Sequence, residues 1–207
     1  MKSIAILGST GSIGKSLIKI INKDKKFFDI KLLTARKNYK ELLKQAKLFE
    51  VKNVILTNYE IFNEKKKIFE KNKINIYNNY DHFNKIFNKK IDYVMSSIVG
   101  IDGLIPTMMI IKHTKSIAVA NKETIICGWN LIREEMEKHE TKFIPVDSEH
   151  FSIWHALNQN LNSNNVKKIY LTASGGPLLN ISRKRFNNLK IKQVIKHPNW
   201  KMGKKIS

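Results

Sequence analysis

Two carboxylates stand two residues apart in Pro145-Val146-Asp147-Ser148-Glu149-His150, directly after the apolar pair Phe143-Ile144. In an extended segment, positions i and i+2 point to the same side, so Asp147 and Glu149 would converge on one point. Carboxylates held that close repel unless a cation sits between them. An all-oxygen ligand set with the Ser148 hydroxyl beside it suits a hard ion such as Mg²⁺ or Mn²⁺. The competing reading is a helix start, with Asp147 or Ser148 as N-cap and Glu149 in the first turn.

A second stretch that bears chemistry is Gly8-Ser9-Thr10-Gly11-Ser12-Ile13-Gly14, which follows the apolar run 4–7 and precedes Leu17, Ile18, Ile20 and Ile21 at helical spacing. Glycines there let the backbone approach a ligand, and the free N–H groups of a new helix favour a phosphate. The spacing is G-x-x-G-x-x-G rather than the commoner G-x-G-x-x-G, and a merely tight strand-to-helix turn would read the same. After the next strand, 30–34, the chain reads Ala35-Arg36-Lys37-Asn38, two cations where an NAD-binding unit places an acid for the ribose hydroxyls. A basic end suits a 2′-phosphate, hence NADP. One charge-assisted contact of roughly 1.5–3 kcal/mol implies a preference over NADH of at least about tenfold. The alternative is a pair of exposed loop cations.

Ala120-Asn121-Lys122-Glu123-Thr124 sets a lysine between an amide and an acid at a strand end. Lys122 there could reach a substrate oxygen, and ordinary helix capping is the other reading. Ser174-Gly175-Gly176-Pro177 could form an anion-binding nest or a plain turn. His197-Pro198-Asn199-Trp200-Lys201-Met202-Gly203 suits a lid over a polar ligand, or an aromatic anchor on a core.

The elements that must hold these residues alternate. Helices are expected at 39–49, 59–70, 81–88, 104–112 and 125–138, and strands at 53–56, 74–77, 91–95, 116–120 and 142–145. Ser96-Ser97-Ile98-Val99-Gly100 follows a strand at the carboxyl side, where such sheets bind ligands. This pattern specifies an α/β fold, a Rossmann-like doubly wound parallel sheet. Beyond it, a helix at 151–161 and a strand at 167–172 are expected to begin an α+β catalytic domain. The expected domains are 1–145, binding NADPH, and 146–207, an incomplete catalytic part that binds metal and substrate.

A chain of 207 residues with 42% hydrophobic residues has ample material for a core, and its formal charge of +21 invites a nucleic-acid reading. Only four of its 38 basic residues are arginines, whereas base and phosphate recognition favours Arg. The lysines are mixed with Asn and Ile, so no specific nucleic-acid partner is expected. A single cysteine, Cys127, excludes an intramolecular disulfide and fits a reducing compartment. No secretory signal and no apolar span of about 18 residues is seen, so a cytoplasmic protein without membrane partners is expected.

Five of these segments, 8–14, 120–123, 145–150, 174–177 and 197–203, occur together in the order found in 1-deoxy-D-xylulose 5-phosphate reductoisomerases, and the chain resembles that family from end to end. The resemblance implies an NADPH enzyme of the non-mevalonate isoprenoid pathway that isomerises and reduces a phosphosugar to 2-C-methyl-D-erythritol 4-phosphate. It implies that Asp147 and Glu149 hold Mg²⁺ or Mn²⁺ and, with Lys122, act in catalysis. Lys122, Ser148, Glu149, Ser174 and His197 would meet the substrate, with Trp200 and Met202 on the closing loop. Thr10, Gly11, Ser12, Ile13, Arg36, Lys37, Asn38, Asn121, Glu123 and Gly203 would line the NADPH site. Family members continue beyond Ser207 with a third metal-binding glutamate and a helical domain. The expectation is therefore a truncated chain that binds NADPH and turns over slowly or not at all, and a homodimer when full length. Two other functions compete. A different NADP dehydrogenase, such as a semialdehyde reductase, would need a nucleophilic cysteine, for which Cys127 is poorly placed. A basic nucleic-acid-binding protein would bind with strong salt dependence.

Overall fold

Strand β1 (Lys2–Leu7) turns Ile4 and Ile6 to one side and Ala5 and Leu7 to the other, and all four are buried. A strand covered on both faces needs helices on both faces, which is why these runs are continuously apolar. The structure, a computed structural model, describes residues 1–146, 148–157, 166–170, 172 and 175–196. Two compact units are present, 1–159 and 160–207.

In the first unit, β1 is followed by α1 (Ser12–Lys23), β2 (Phe28–Ala35), α2 (Tyr39–Leu48), β3 (Asn53–Leu56), α3 (Tyr59–Lys71) and β4 (Asn75–Tyr77). Then come α4 (Phe83–Ile86), β5 (Tyr93–Ser96), α5 (Leu104–Ile111), β6 (Ser116–Val119), α6 (Lys122–Lys138), β7 (Lys142–Pro145) and α7 (Ser148–Ala156). The seven strands are all parallel in the order β4-β3-β2-β1-β5-β6-β7. The winding reverses beside β1, between β1 and β5, and ligands of open parallel sheets lodge at the carboxyl side of such a point.

The two faces bury separate cores. Ile18 and Ile21 of α1, Leu42 and Ala46 of α2 and Phe69 of α3 pack with Ile4, Ile6, Leu33 and Val54. Phe83 of α4, Ile110 and Ile111 of α5 and Ile132 and Met136 of α6 pack with Ala5, Leu7, Leu32 and Ile55 on the other face. The register of β2 slips by one residue opposite Ile4/Ala5, so Ile30 and Leu33 share a face although they stand three positions apart. His113 is one of the buried residues, its ring 5.5 Å from Phe87 and 6.2 Å from Phe83, and burial pushes its pKa down.

The second unit contains helical turns at Gly176–Leu178 and Arg183–Asn188 and α8 (Ile191–Val194). The expected strand at 167–172 is absent among the described residues, 167–170 and 172. Among the described residues no strand pairs with them, and Ile169 and Tyr170 are exposed. A short apolar run becomes a strand only where a neighbour takes up its N–H and C=O groups. Residues 158–161 of the expected helix 151–161 lie outside the described residues. Among the described residues, no helix is long and apolar enough to cross a membrane.

Candidate functional site

The carboxyl ends of β1, β2, β5 and β6 bring three expected groups to one edge. The first is the glycine turn. Gly8 has φ of 80°, open to glycine at little cost, and a Cβ there would lie 2.9 Å from the Ser97 carbonyl oxygen. At Gly14, in the first turn of α1, a Cβ would lie 2.5 Å from the Gly8 carbonyl oxygen. Both positions therefore need glycine for the backbone to close on itself.

The turn is held from three sides. Gly8 N–H donates to Thr34 Oγ1 (2.9 Å) and Ser9 N–H to the Thr34 carbonyl (2.9 Å), both from β2. Ser97, after β5, donates its hydroxyl to the Leu7 carbonyl (2.8 Å). Gln45 of α2 donates from Nε2 to the Ser9 carbonyl (3.1 Å) and to Glu41 Oε1 (3.0 Å). Tyr80 is half-buried nearby, and that burial raises its phenol pKa to about 12. None of Thr34, Gln45 and Tyr80 figures among the residues expected from the sequence. Gln45 carried a usable signal, a polar residue on the apolar face of a helix that also buries Leu42 and Ala46.

Thr10 and Gly11 are half-buried, and Ser12 and Ile13 are exposed at the start of α1. Gly11 is the N-cap of α1, which has no side-chain cap and no acidic residue in its first turn. By contrast Asn38, Asn58 and Asn121 cap α2, α3 and α6 through their side-chain oxygens. The first amides of an uncapped helix form an anion site, reinforced by the helix dipole.

The second group follows β2. Arg36 and Lys37 are exposed, and Arg36 Nη1 lies 3.3 Å from Asp102 Oδ2, in the helical turn Ile101–Gly103 after β5. Asn38 Oδ1 accepts from the Glu41 N–H (3.1 Å), so that oxygen serves the helix.

The third group follows β6, where Asn121 caps the helix that carries Lys122 and Glu123 in its first turn. Asn121 Oδ1 accepts from the Thr124 N–H (2.7 Å), and α6 starts at Lys122, three residues earlier than expected. Asn121 Nδ2 donates to the Ile98 carbonyl, which ties the loop after β5 to the start of α6. Lys122 is exposed and Glu123 half-buried in that first turn.

The acidic stretch departs from its extended reading. After β7, α7 starts at Ser148 and carries Glu149 in its first turn, exposed. An acid there complements the amino end of the helix dipole, which favours helix over continued strand. Asp147, Ser174, His197, Trp200, Met202 and Gly203 lie outside the described residues, as does the rest of 197–207. Among the described residues, no group of three or more His, Cys, Asp or Glu side chains could hold a metal ion. Gly175 and Gly176 both have positive φ, 76° and 66°. Cys127 is exposed within α6.

A doubly wound parallel sheet with a glycine-rich, uncapped helix start beside its switch point defines the Rossmann-like class of α/β proteins. Residues 4–128 match the family pattern of 1-deoxy-D-xylulose 5-phosphate reductoisomerase, and residues 143–207 match that of its C-terminal domain. The reductoisomerase of Pelagibacter ubique is 60% identical over all of this chain and 54% of its own length. That of Clostridium tetani is 39% identical with the same coverage. A DOX-P reductoisomerase solved with NADPH, fosmidomycin and magnesium superposes with a TM-score of 0.80 at 32% identity, over 99% of this chain and 53% of that one. The Zymomonas mobilis reductoisomerase in complex with NADPH gives 0.76 at 30% identity, over 87% and 48%. The chain belongs to the 1-deoxy-D-xylulose 5-phosphate reductoisomerase family. It spans about half the length of the curated relatives it matches.

Proposed function

We propose that this chain serves the NADPH- and divalent-metal-dependent isomerisation and reduction of 1-deoxy-D-xylulose 5-phosphate to 2-C-methyl-D-erythritol 4-phosphate, and that the carboxyl edge of its sheet receives the NADPH. The observation that carries this reading is the glycine turn, where Gly8 and Gly14 leave no room for a Cβ and α1 begins without a side-chain cap. Such a cradle fits a pyrophosphate, whose charge the helix start accepts. The activity for which the relatives are named, and NADPH in two solved relatives, support it.

When bound, NADPH would supply the hydride, and a divalent ion would draw electron density from the substrate oxygens. Within the chain, Thr10, Gly11, Ser12 and Ile13 would present backbone amides to the pyrophosphate. Arg36 and Lys37 would meet the 2′-phosphate beside Asn38. Asn121 would fix the loop after β5, with Glu123 and Gly203 completing the cofactor site. Lys122 would orient a substrate oxygen from the start of α6. Ser148, Ser174 and His197 would bind the phosphosugar, and Trp200 with Met202 would exclude water. Asp147 and Glu149 would hold Mg²⁺ or Mn²⁺, for which two carboxylates are suitable hard donors. We place the division between cofactor and catalytic parts near Pro145, supported by the second family match starting at residue 143. A cytoplasmic homodimer without a specific nucleic-acid partner completes the proposal.

The cofactor assignment is tested by titrating the 207-residue chain with NADPH and NADH and following nicotinamide fluorescence. NADPH should bind at least about tenfold more tightly, and Arg36→Ala with Lys37→Ala should remove that preference. Equal losses for both cofactors would contradict it. For the metal, Mn²⁺ binding followed by electron paramagnetic resonance should weaken at least about tenfold in Asp147→Asn, and an unchanged affinity would remove Asp147 from the ligand set.

A further inference from the structure

The Arg36–Asp102 ion pair joins the turn after β2 to the turn after β5, and β1, with its glycine turn, lies between those strands. We infer that Asp102 is a specificity-determining residue that weakens the chain's discrimination for the phosphorylated cofactor, by competing with the 2′-phosphate for Arg36. The inference rests on the NADPH reading of this edge.

Asp102 Oδ2 lies 3.3 Å from Arg36 Nη1, and both side chains are about two-thirds or more exposed, at 67% and 74%. A 2′-phosphate carries close to two negative charges near neutral pH, since its second ionisation falls around pH 6. To reach the guanidinium it must either displace the carboxylate or share the cation with it. Displacement forfeits an existing ion pair, and sharing sets like charges side by side. Asp102 opposes the phosphorylated cofactor in both cases. The unphosphorylated ribose meets no such penalty, because its diol is neutral and can donate to a carboxylate. Lys37, exposed beside Arg36, remains as a second cation. Asp102 therefore reduces the preference that the basic pair creates without abolishing it.

Exposed ion pairs contribute little, which limits the effect to about two- to fivefold. The experiment measures dissociation constants of NADPH and NADH by fluorescence for the wild type and Asp102→Asn, at low and at high salt, with circular dichroism to establish that both are folded. The expected result is a rise of about two- to fivefold in the ratio of NADH to NADPH dissociation constants in Asp102→Asn, shrinking at high salt as screening weakens the competition. An unchanged ratio, or equal tightening of both cofactors, overturns the role of Asp102 and leaves the NADPH site intact. A wild type that binds NADPH no better than NADH overturns the underlying reading instead. Asp102→Lys supplies a second measurement on the same scale and should raise the ratio further than Asp102→Asn; a ratio no higher than that of Asp102→Asn overturns the electrostatic account.

Discussion

At the amino end of the sheet, the Asp92 carboxylate accepts hydrogen bonds from Ser3 N–H (2.9 Å), Ser3 Oγ (2.9 Å) and Lys115 Nζ (2.8 Å). Those contacts tie the start of β1 to the start of β5 and to the residue before β6. At the carboxyl end, the side chains of Thr34, Ser97 and Gln45 are spent on shaping one turn, and the helix that follows starts without a side-chain cap. At the amino end Asp92 and Lys115 satisfy each other within the fold, whereas the carboxyl end keeps the first amides of α1 and the exposed Lys37 for a visitor. Groups that a protein leaves unsatisfied forgo stability, so their concentration on one edge marks where binding takes precedence over folding.

The amino edge gives the larger effect on stability. Asp92→Ala removes three acceptor contacts and leaves the Ser3 amide without its partner, which should cost about 1–2 kcal/mol after allowance for the exposure of Lys115. The same contacts hold the Asp92 carboxyl well below the usual carboxylate range. A depressed folded pKa contributes stability that is fully present above the unfolded value, near 4 for Asp, and is lost as pH falls towards the folded value. The gap between wild type and Asp92→Ala in urea unfolding should therefore be full at pH 7 and shrink below about pH 4. NADPH affinity should not change. A gap that persists undiminished in acid, or a loss of cofactor affinity, would erase the proposed division between the edges.

What the sequence disclosed follows the same division between local and distant. Strands β3 and β7 were legible to the residue, because each is a short apolar run opened by a polar residue and closed locally, by Thr57 after β3 and by Pro145 in β7. The glycine turn was legible for a related reason, as the Gly8 φ of 80° and the close approach of Gly14 to Gly8 arise within seven residues, although the Ser97 carbonyl that also crowds Gly8 does not. Its clamps were hidden. Thr34 and Gln45 stand 26 and 36 residues from their partners, and Ser97 stands 90 away, so no spacing rule links them. The Arg36–Asp102 contact, at a separation of 66, was hidden likewise. At Ser148 the difficulty was different, since a serine and an acid after a strand suit a continued extended segment and a helix start alike. Only the backbone distinguishes them, and at Glu149 it is helical.

The carboxyl edge gives the smaller effect on stability and the sharper test of the contrast. Gly11 is the N-cap of α1 at φ −76° and ψ 177°, an extended conformation that any residue adopts. An added Cβ would stand 3.3 Å from the Gly8 carbonyl oxygen, a close contact that a small shift relieves. Gly11→Asp would supply the side-chain cap that α1 lacks and set a negative charge on the helix dipole, gains of a few tenths of a kcal/mol that offset this crowding. Its unfolding free energy should stay within about 0.5 kcal/mol of wild type. NADPH affinity should nonetheless fall at least about tenfold, because the new carboxylate occupies the amides and repels a pyrophosphate. Asp92→Ala would then change stability and spare binding, while Gly11→Asp would spare stability and remove binding. If Gly11→Asp retained wild-type affinity, the first amides of α1 would not be where the phosphate sits, and the meaning given to the uncapped helix would fail.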